Sequence, residues 1–376
     1  MTILVAFNSF KECADSAEIN KIICEELESK CESEIVSKPL SDGGDGFLSV
    51  TEKIFSTENY QYEIFDSIYK KPKNVEFAID HKRQVGFVES ASIIGLNSLD
   101  SANRKPLIIN SESLGLLLKK IADDVYLNKL KVKSVYLGIG GTATIDLGIG
   151  ACAPFGLKLF DEANNLLKPL PLEFQYTRKI AFPDYQIPFE LKCVVDVNTP
   201  LIGNPGAIEI YGKQKGASND ELSVIKKGMS NLLSILLKYD HNKNLQLLNG
   251  AGGGLATGLK LFLGAEIITA ETFIKDFILQ NINLESIDAV ITGEGSFDYQ
   301  SLEGKGVGII INLFKDKDIP IFLINGTTEL PDQFKQQHHL HIINISDYFN
   351  DRSESIKKYK IGLKKASKEV LQQLSK

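Results

Sequence analysis

Residues 135–150, with the sequence VYLGIGGTATIDLGIG, constrain the possible folds more than any other stretch of the chain. Apolar residues alternate up to Ile139, which favours a buried β-strand, and the glycines that follow favour a turn into a helix. Because Gly140 and Gly141 have no side chains, an anion can approach the backbone N–H groups there, and Thr142 adds a hydroxyl donor. The same glycines could instead only allow the helix to pack closely on the sheet, and the stretch alone does not separate the two interpretations.

The length and composition indicate a soluble protein with two domains. A chain of 376 residues, 43% hydrophobic and 24% charged, can form two well-developed cores. The net charge of −6 and the absence of a basic stripe argue against a nucleic-acid partner.

The N-terminus lacks a secretory leader and no apolar run could cross a bilayer, so we expect a cytoplasmic protein without a membrane partner. The five cysteines form no C-x-x-C pair, which argues against a zinc site or a disulfide framework.

The order of the sequence patterns predicts an α/β fold in which one domain is inserted into the other. Strands, polar loops and amphipathic helices alternate at both ends of the chain, whereas the pattern between residues 60 and 89 is typical of antiparallel strands. We therefore expect residues 1–65 and 286–376 to form one discontinuous domain, and residues 66–285 to form the inserted α/β domain.

The loop SDGGDG at residues 41–46 lies between a predicted strand and a predicted helix. Backbone amides at Gly43 and Gly44 could surround a small polar ligand, while Asp42 and Asp45 accept from hydroxyl groups or hold hydrated Mg²⁺. Asp-Gly is also common turn chemistry, so a tight turn remains an alternative.

Three later segments add charged or glycine-rich loops. Asp196 ends a strongly apolar strand, a position suited to catalysis in an open α/β sheet but also to capping a turn. Lys213 and Lys215 in YGKQKGAS could neutralise phosphate, although a solvated basic loop is the commoner explanation. Gly253 lies in NGAGGGLATG, a second glycine-rich helix entrance that would allow either close helix contact or the approach of an anion.

The most charge-dense loop after a buried strand is GEGSFDYQSLEGKG, which carries Glu294, Asp298 and Lys305. Gly304 and Lys305 do not form a Walker A loop, because the upstream glycine and the following serine or threonine are missing. If this chain binds ATP, it must hold the phosphates in another way.

Seven motifs, in this order over nearly the whole chain, resemble the bacterial type I glycerate kinase family: NSFKE, SDGGDG, GIGGTATIDLG, VDVNTPLIG, KQKGAS, GAGGGLATG and TGEGSFDYQSLEGKG. The resemblance implies an α/β fold of two domains, one a Rossmann-like three-layer domain built from both chain ends and the other an inserted α/β domain. The active site would lie in the cleft between them. The resemblance also implies ATP, Mg²⁺ and D-glycerate as reactants and ADP and phosphoglycerate as products, with 2-phosphoglycerate favoured over 3-phosphoglycerate.

The chain departs from the family pattern at four positions. The family usually has an aspartate where Asn8 and Asn198 stand, and an asparagine and a glycine where Ile145 and Leu147 stand. Asn198 can hydrogen-bond but cannot act as a base or bring charge to a metal. Altered substrate preference, weakened catalysis and loss of activity are therefore all compatible with the sequence.

Phosphoryl transfer needs mainly positioning and charge neutralisation, which suggests roles for the charged residues. Lys11 and Lys305 are the preferred cations. Asp196 is the first candidate for the base that takes the proton of the acceptor hydroxyl, and Asp42 is the second. Glu294 and Asp298 are candidates for holding Mg²⁺ through water. The residues expected to contact nucleotide or substrate are Ser9, Gly43, Gly44, Asp45, Gly140, Gly141, Thr142, Asp146, Asn198, Lys213, Lys215 and Gly253.

Two other functions fit parts of the sequence. Gly138, Gly140 and Ala143 satisfy G-x-G-x-x-A after a strand, and Asp161 lies about 20 residues further on, as in an NAD-dependent dehydrogenase. The departures at Asn8, Ile145 and Asn198 would also suit a non-catalytic metabolite-binding homologue of a kinase. The sequence is compatible with a monomer or a homodimer.

Overall fold

The computed structural model describes residues 1–10, 13–196, 199–203, 206–239, 248–302, 305–330 and 340–374. Its strands and helices divide into two compact units: unit 1 is Met1–Phe55 with Ala270–Lys376, and unit 2 is Ser56–Thr269. Both units combine parallel strands with helices, so the predicted α/β class is confirmed.

The strands of the described residues are, in chain order, β1 Thr2–Phe7, β2 Glu34–Ser37, β3 Glu58–Asp66, β4 Lys71–Asp80, β5 Val85–Glu89, β6 Ser134–Ile139, β7 Lys158–Phe160, β8 Leu166–Leu167, β9 Lys179–Ala181, β10 Glu190–Val195, β11 Glu266–Thr269, β12 Ala289–Gly293, β13 Ser296–Phe297, β14 Ile321–Asn325, β15 Thr327–Thr328 and β16 Leu340–Asn344. The α-helices of the same residues are α1 Ser16–Glu28, α2 Phe47–Ile54, α3 Ser90–Ile94, α4 Glu112–Tyr126, α5 Ile149–Cys152, α6 Ala207–Gly212, α7 Asn219–Tyr239, α8 Ala251–Leu263, α9 Ala270–Phe273, α10 Tyr299–Leu302, α11 Gly306–Phe314, α12 Arg352–Lys357 and α13 Tyr359–Leu374.

Unit 1 is built on a five-stranded parallel sheet in the order β2–β1–β12–β14–β16. Alternate residues of β1 (Ile3, Val5 and Phe7) pack in one core cluster with apolar residues of α1 and α13. Helix α11 contacts β1 and β12 and contributes none of its residues to that cluster. A parallel sheet of this kind needs helical cover, and its strands are accordingly almost continuous apolar runs.

Unit 2 is built on a six-stranded mixed sheet in the order β11–β10–β6–β5–β4–β3. The four strands from β11 to β5 are parallel, and β4 and β3 add an antiparallel hairpin at one edge. This hairpin matches the antiparallel strands that the sequence predicts after residue 60. A small antiparallel sheet, β8–β7–β9, lies in the same unit.

The junctions between the units lie at residues 55/56 and 269/270, earlier than the positions 65/66 and 285/286 expected from the sequence. Strand β3 pairs along its whole length with β4, so it belongs to the sheet of unit 2. Helix α9 belongs to unit 1, because Phe273 packs on Phe47 with ring centroids 5.2 Å apart. Strand pairing decides the first junction and side-chain packing decides the second. Neither junction coincides with a change in amino-acid composition.

Side-chain hydrogen bonds mark the starts of two helices. Asp15 accepts a hydrogen bond from the Glu18 amide at 2.8 Å and so caps α1. Ser218 and Glu221 form a reciprocal capping box before α7, with bonds of 3.2 and 2.8 Å. Among the described residues, no helix has both the length and the apolar character needed to cross a membrane.

Candidate active site

In unit 1 the carboxyl ends of β1 and β12 meet where the strand order reverses. From β1 the chain continues to β2 on one side, whereas β12, β14 and β16 extend the sheet on the other side. In open α/β sheets, ligands bind at such a switch point, beyond the carboxyl ends of the strands. Asn8 lies directly after β1, and its backbone N–H donates to the Gly293 carbonyl at the end of β12, at 3.0 Å.

Asn8 joins this strand end to the loop that carries Asp42. The Asn8 Nδ2 donates to Asp42 Oδ2 at 3.0 Å, and Asn8 Oδ1 accepts from the Ser9 backbone N–H at 2.9 Å. Asp42 Oδ1 accepts from the Gly44 backbone N–H at 3.2 Å, which closes a tight turn. The Asp42 carboxylate is therefore oriented from two sides.

The remaining residues of this loop lie where the chain turns into α2. Gly43 and Gly46 adopt positive φ angles of 93° and 86°, which favour glycine. Gly46 directly precedes α2, and Asp45 is half-buried beside it. Ser9 is half-buried as well. The structure thus brings Ser9, Asp42 and the glycine turn to one edge of the unit 1 sheet.

Lys305 lies at the start of α11, on the same edge. It is half-buried in the N-cap position, and no described side chain caps the first turn of this helix. A Cβ atom placed on Gly306 would lie 3.6 Å from Asn8 Nδ2, so the helix begins beside the end of β1. An N-terminus of this kind, next to a lysine, suits a phosphate because its amides and partial positive charge favour anions.

Glu294 follows β12 immediately and is 8% exposed. Its backbone N–H donates to Asn325 Oδ1 at 3.2 Å. Asp298 is half-buried and caps the short helix α10, since its Oδ1 accepts from the Ser301 N–H at 3.0 Å and from the Ser301 hydroxyl at 3.2 Å. Asp298 therefore has a structural role as the cap of α10.

The residues at this edge suit Mg²⁺ in their donor chemistry. Magnesium prefers oxygen ligands and is usually bound through one or two carboxylates together with substrate phosphates. Among the described residues there is no group of three or more His, Cys, Asp or Glu side chains that could hold a metal by themselves. Glu294, in a loop that follows a buried strand, is the better of the two candidates.

In unit 2 the predicted residues also collect at the carboxyl edge of the sheet. Parallel pairing aligns Ile139 of β6 with Val195 of β10, so Gly140 and Asp196 each come one residue after neighbouring strand ends. Gly141 has a φ of 62°, and its carbonyl accepts from the Leu96 N–H at 2.7 Å. The loop after β6 is thereby fixed to the segment that follows α3.

Lys215 is buried against this loop. Its Nζ donates to the Thr144 carbonyl at 2.8 Å and to Thr142 Oγ1 at 3.4 Å, and only 7% of the residue is exposed. Burial lowers the pKa of the Lys215 amine to about 8, although the nearby Asp146 carboxylate partly opposes this shift. Lys213, two residues earlier, is exposed. The two lysines that the sequence groups together thus have different surroundings.

Asp146 is fully buried and is surrounded by donors of the protein itself. Its carboxylate accepts from the N–H and hydroxyl of Ser111 at 2.8 and 2.7 Å, from the Gly150 N–H at 3.1 Å and from the Gly148 N–H at 3.2 Å. Burial raises the pKa of the Asp146 carboxyl group. These contacts tie the loop after β6 to the beginnings of α4 and α5.

Gly253 allows two backbone segments to pack closely, which is one of the two interpretations that the sequence left open for this segment. Its φ is 71°, and a Cβ atom there would lie 2.1 Å from the Thr144 carbonyl oxygen. The Gly253 carbonyl accepts from the Leu147 N–H at 3.2 Å. The glycine-rich entrance of α8 therefore packs directly on the loop after β6.

Lys11 and Asn198 lie outside the described residues. The other predicted residues form two sets, one in each unit. The unit 1 set is Ser9, Asp42, Gly43, Gly44, Asp45, Glu294, Asp298 and Lys305. The unit 2 set is Gly140, Gly141, Thr142, Asp146, Asp196, Lys213, Lys215 and Gly253. Asn8, which the sequence marks only as a departure from the family, belongs to the first set through its bond to Asp42.

The dinucleotide fingerprint is not accompanied by the structure it requires. In that motif a helix begins within the glycine turn, so that its N-terminus receives the pyrophosphate. Here the residues from Gly140 to Gly148 form an irregular loop, and α5 has only four residues.

Comparison with known proteins agrees with the resemblance seen in the sequence. A profile of the Glycerate kinase family matches residues 3–375. The chain belongs to the glycerate kinase family. It is 29% identical over 310 residues to Glycerate kinase of Neisseria meningitidis serogroup B, covering 81% of this chain and 80% of that protein. It is also 29% identical over 339 residues to Glycerate 2-kinase of Escherichia coli K12, covering 87% and 85%.

A solved structure supports the fold of this family member. The crystal structure of a protein provisionally named glycerate kinase 2, from Salmonella typhimurium LT2, matches with a TM-score of 0.77 and 24% sequence identity. The match covers 100% of this chain and 98% of that chain. Membership of the family makes the protein a kinase, and its two sets of candidate residues can be interpreted in that light.

Proposed function

We propose that the protein is an ATP-dependent kinase that transfers the γ-phosphoryl group of ATP to D-glycerate and forms 2-phosphoglycerate. Family membership and the names of the Neisseria and Escherichia relatives support the reaction, and the Escherichia name supports the 2-position. The observation that carries the proposal is the meeting of Asn8, Asp42 and the start of α11 at the switch point of the unit 1 sheet.

In unit 1 we assign the handling of the nucleotide phosphates to the start of α11 and to Lys305. The helix amides and the lysine together would neutralise the negative charge that spreads over the phosphoryl oxygens during transfer. Lys11, outside the described residues, is proposed as a second cation. Glu294, with Asp298 as a further candidate, would hold Mg²⁺, which supplies additional positive charge to the phosphates when it is bound.

In unit 2 we assign the acceptor side of the reaction to the carboxyl edge of β6 and β10. Gly140, Gly141 and Thr142 would contact the carboxylate of glycerate or a phosphate through backbone amides and a hydroxyl. Asp196 would take the proton of the acceptor hydroxyl, because it is a half-buried carboxylate directly after a central strand. Asp42 is the second candidate for this role, and Asn198 is proposed as a hydrogen-bonding residue.

The first experiment identifies the reaction and its product. The purified protein is incubated with ATP, Mg²⁺ and D-glycerate, ADP release is followed, and the product is identified by NMR. We expect 2-phosphoglycerate; 3-phosphoglycerate would contradict the assigned position. Binding of ATP and glycerate without turnover would instead support a non-catalytic homologue. Tight NADH binding without kinase turnover would favour a dehydrogenase and refute the proposal.

A second experiment tests the base. Replacing Asp196 with asparagine keeps the size of the side chain but removes its ability to accept a proton, so we expect kcat to fall roughly 10²-fold to 10⁴-fold. Asp220→Asn is the matched control, since Asp220 is exposed near the start of α7. If Asp196→Asn and the control have the same kcat, the base is not Asp196, and Asp42→Asn is then tested in the same assay.

A further inference from the structure

The loop after β12 is held along its backbone by the loop after β14. The Glu294 carbonyl accepts from the Gly326 N–H at 3.0 Å, and the Gly295 carbonyl accepts from the Thr327 N–H at 3.1 Å. The next residues form the short parallel pair β13–β15, in which Phe297 is aligned with Thr328. The chain around Glu294 is thus an extension of the sheet and has a defined course.

Asn325 completes this attachment from the end of β14. Its side chain is fully buried, and its Oδ1 accepts the Glu294 backbone N–H at 3.2 Å. Both backbone polar groups of Glu294 are therefore bound, one by the Asn325 side chain and one by Gly326. Fixing N–H and carbonyl together restricts the direction in which the Glu294 side chain leaves the main chain.

A hydrogen-bond chain fixes the Asn325 amide in turn. Asn325 Nδ2 donates to Thr328 Oγ1 at 3.0 Å, and the Thr328 hydroxyl donates to Asn344 Oδ1 at 2.6 Å. The direction of the chain is determined, because the Glu294 N–H can only donate and so requires the oxygen of Asn325. The chain connects the carboxyl ends of β14 and β16 to the loop after β12.

We propose that Asn325 is a positioning residue, which acts with Thr328 and Asn344 to orient Glu294 toward a Mg²⁺–nucleotide complex. This proposal rests on the role assigned to Glu294 in the proposed function. A carboxylate that binds a cation gains affinity when its own support is rigid, and loss of such support typically lowers metal affinity about 10-fold to 100-fold. No sequence pattern points to this role, because Asn325 only follows an apolar run that ends at Ile324.

The chain offers a matched pair of variants next to each other. Thr328→Val keeps the shape of the side chain but removes the hydroxyl that links Asn325 to Asn344. Thr327→Val makes the same change one residue earlier, where the described residues show no side-chain hydrogen bond to lose. Thr328→Ser restores the hydroxyl. Asn325→Ala removes the contact to Glu294 altogether.

Two measurements test the proposal without depending on turnover. Hydrogen exchange of the Glu294 amide, recorded without nucleotide or Mg²⁺, reports the Asn325 bond directly. Titration calorimetry of ADP with Mg²⁺ and with EDTA reports how much of the nucleotide affinity depends on the metal. We expect Asn325→Ala to expose the Glu294 amide to exchange and to weaken Mg²⁺-dependent ADP binding about 10-fold, with ADP binding in EDTA unchanged.

The variants at 327 and 328 complete the design. Thr328→Val should weaken Mg²⁺-dependent binding, and Thr328→Ser and Thr327→Val should bind as the unmodified protein does. The proposal is overturned if the Glu294 amide exchanges faster in Asn325→Ala while the Mg²⁺-dependent affinity stays the same, or if Mg²⁺ has no effect on ADP binding in the unmodified protein. Kinase turnover is measured separately, so absence of glycerate phosphorylation counts against the proposed function and not against this positioning role.

Discussion

Lys215 provides the clearest quantitative prediction, because its amine is buried and its ionisation should change the stability of the fold. The pKa of the Lys215 amine falls from 10.5 to about 8 through burial. At about 1.4 kcal/mol per pH unit, this difference means that burying the protonated amine costs about 3 kcal/mol relative to the neutral amine. At neutral pH the free energy of unfolding is therefore lower by this amount than it would be with a neutral amine.

The sign of the pH dependence follows from the two pKa values. Below pH 8 the folded and unfolded states both hold the proton, so the cost is present in full. Between pH 8 and 10.5 the folded state has released the proton while the unfolded state keeps it. The unfolded state then binds more protons, and the contribution of Lys215 to the free energy of unfolding rises with pH.

The assay compares the unmodified protein with Lys215→Met, which keeps an unbranched side chain without the amine. Urea unfolding is measured from pH 7 to pH 9.5, and the difference between the two proteins removes the effect of the other titrating groups. We expect the unmodified protein to gain about 2 kcal/mol relative to the variant over this range. Lys213→Met, which replaces an exposed lysine two residues earlier and keeps Lys215, should show the same rise with pH as the unmodified protein. A difference between the unmodified protein and Lys215→Met that does not change with pH would refute the buried, titrating amine.

Two further predictions concern the packing of the loop after β6. Gly253→Ala should lower the free energy of unfolding by more than about 2 kcal/mol, because the new Cβ would meet the Thr144 carbonyl oxygen at 2.1 Å in a backbone with positive φ. Gly264→Ala is its control: the φ of 73° is similar but nothing lies within 4 Å, so only about 1 kcal/mol should be lost in urea unfolding. Asp146→Ala should cost about 3 kcal/mol or more in the same measurement, since it leaves four buried donors without their acceptor, and a loss below about 1 kcal/mol would contradict this assignment.

Strands and helices with strong local signals could be predicted from the sequence. The apolar run of β1, the helix α2 after the SDGGDG loop and the capping box before α7 all have their causes within a few residues. The placement of Gly140 and Asp196 beside each other also follows from simple rules, because parallel strands end at a common edge.

The path of the chain after β6 could not be predicted in this way. The sequence suggests a helix directly after the glycine turn, but the helix begins only at Ile149. The intervening loop is stabilised by Asp146, which bonds to Ser111, and by Gly253, which packs on Thr144. These contacts join residues that are far apart in the sequence, so no local pattern reports them.

The departures from the family pattern differ in their physical meaning. Ile145 and Leu147, where the family usually has asparagine and glycine, are 1% and 0% exposed and belong to the main core cluster of unit 2. Their apolar side chains stabilise the loop by burial. At these two positions the departure changes the packing beneath the candidate residues and puts no new group at the surface.

Asn8 is a departure of another kind, because it lies at the switch point itself. An aspartate there would bring a second carboxylate to within about 3 Å of the Asp42 carboxylate, an arrangement that repels unless a proton or a cation lies between them. The Asn8 amide replaces that repulsion with a donated hydrogen bond and removes one negative charge from an edge where phosphates are proposed to bind. The Asn8 amide therefore helps to orient Asp42, and at this position the departure is compatible with a working phosphoryl-transfer site.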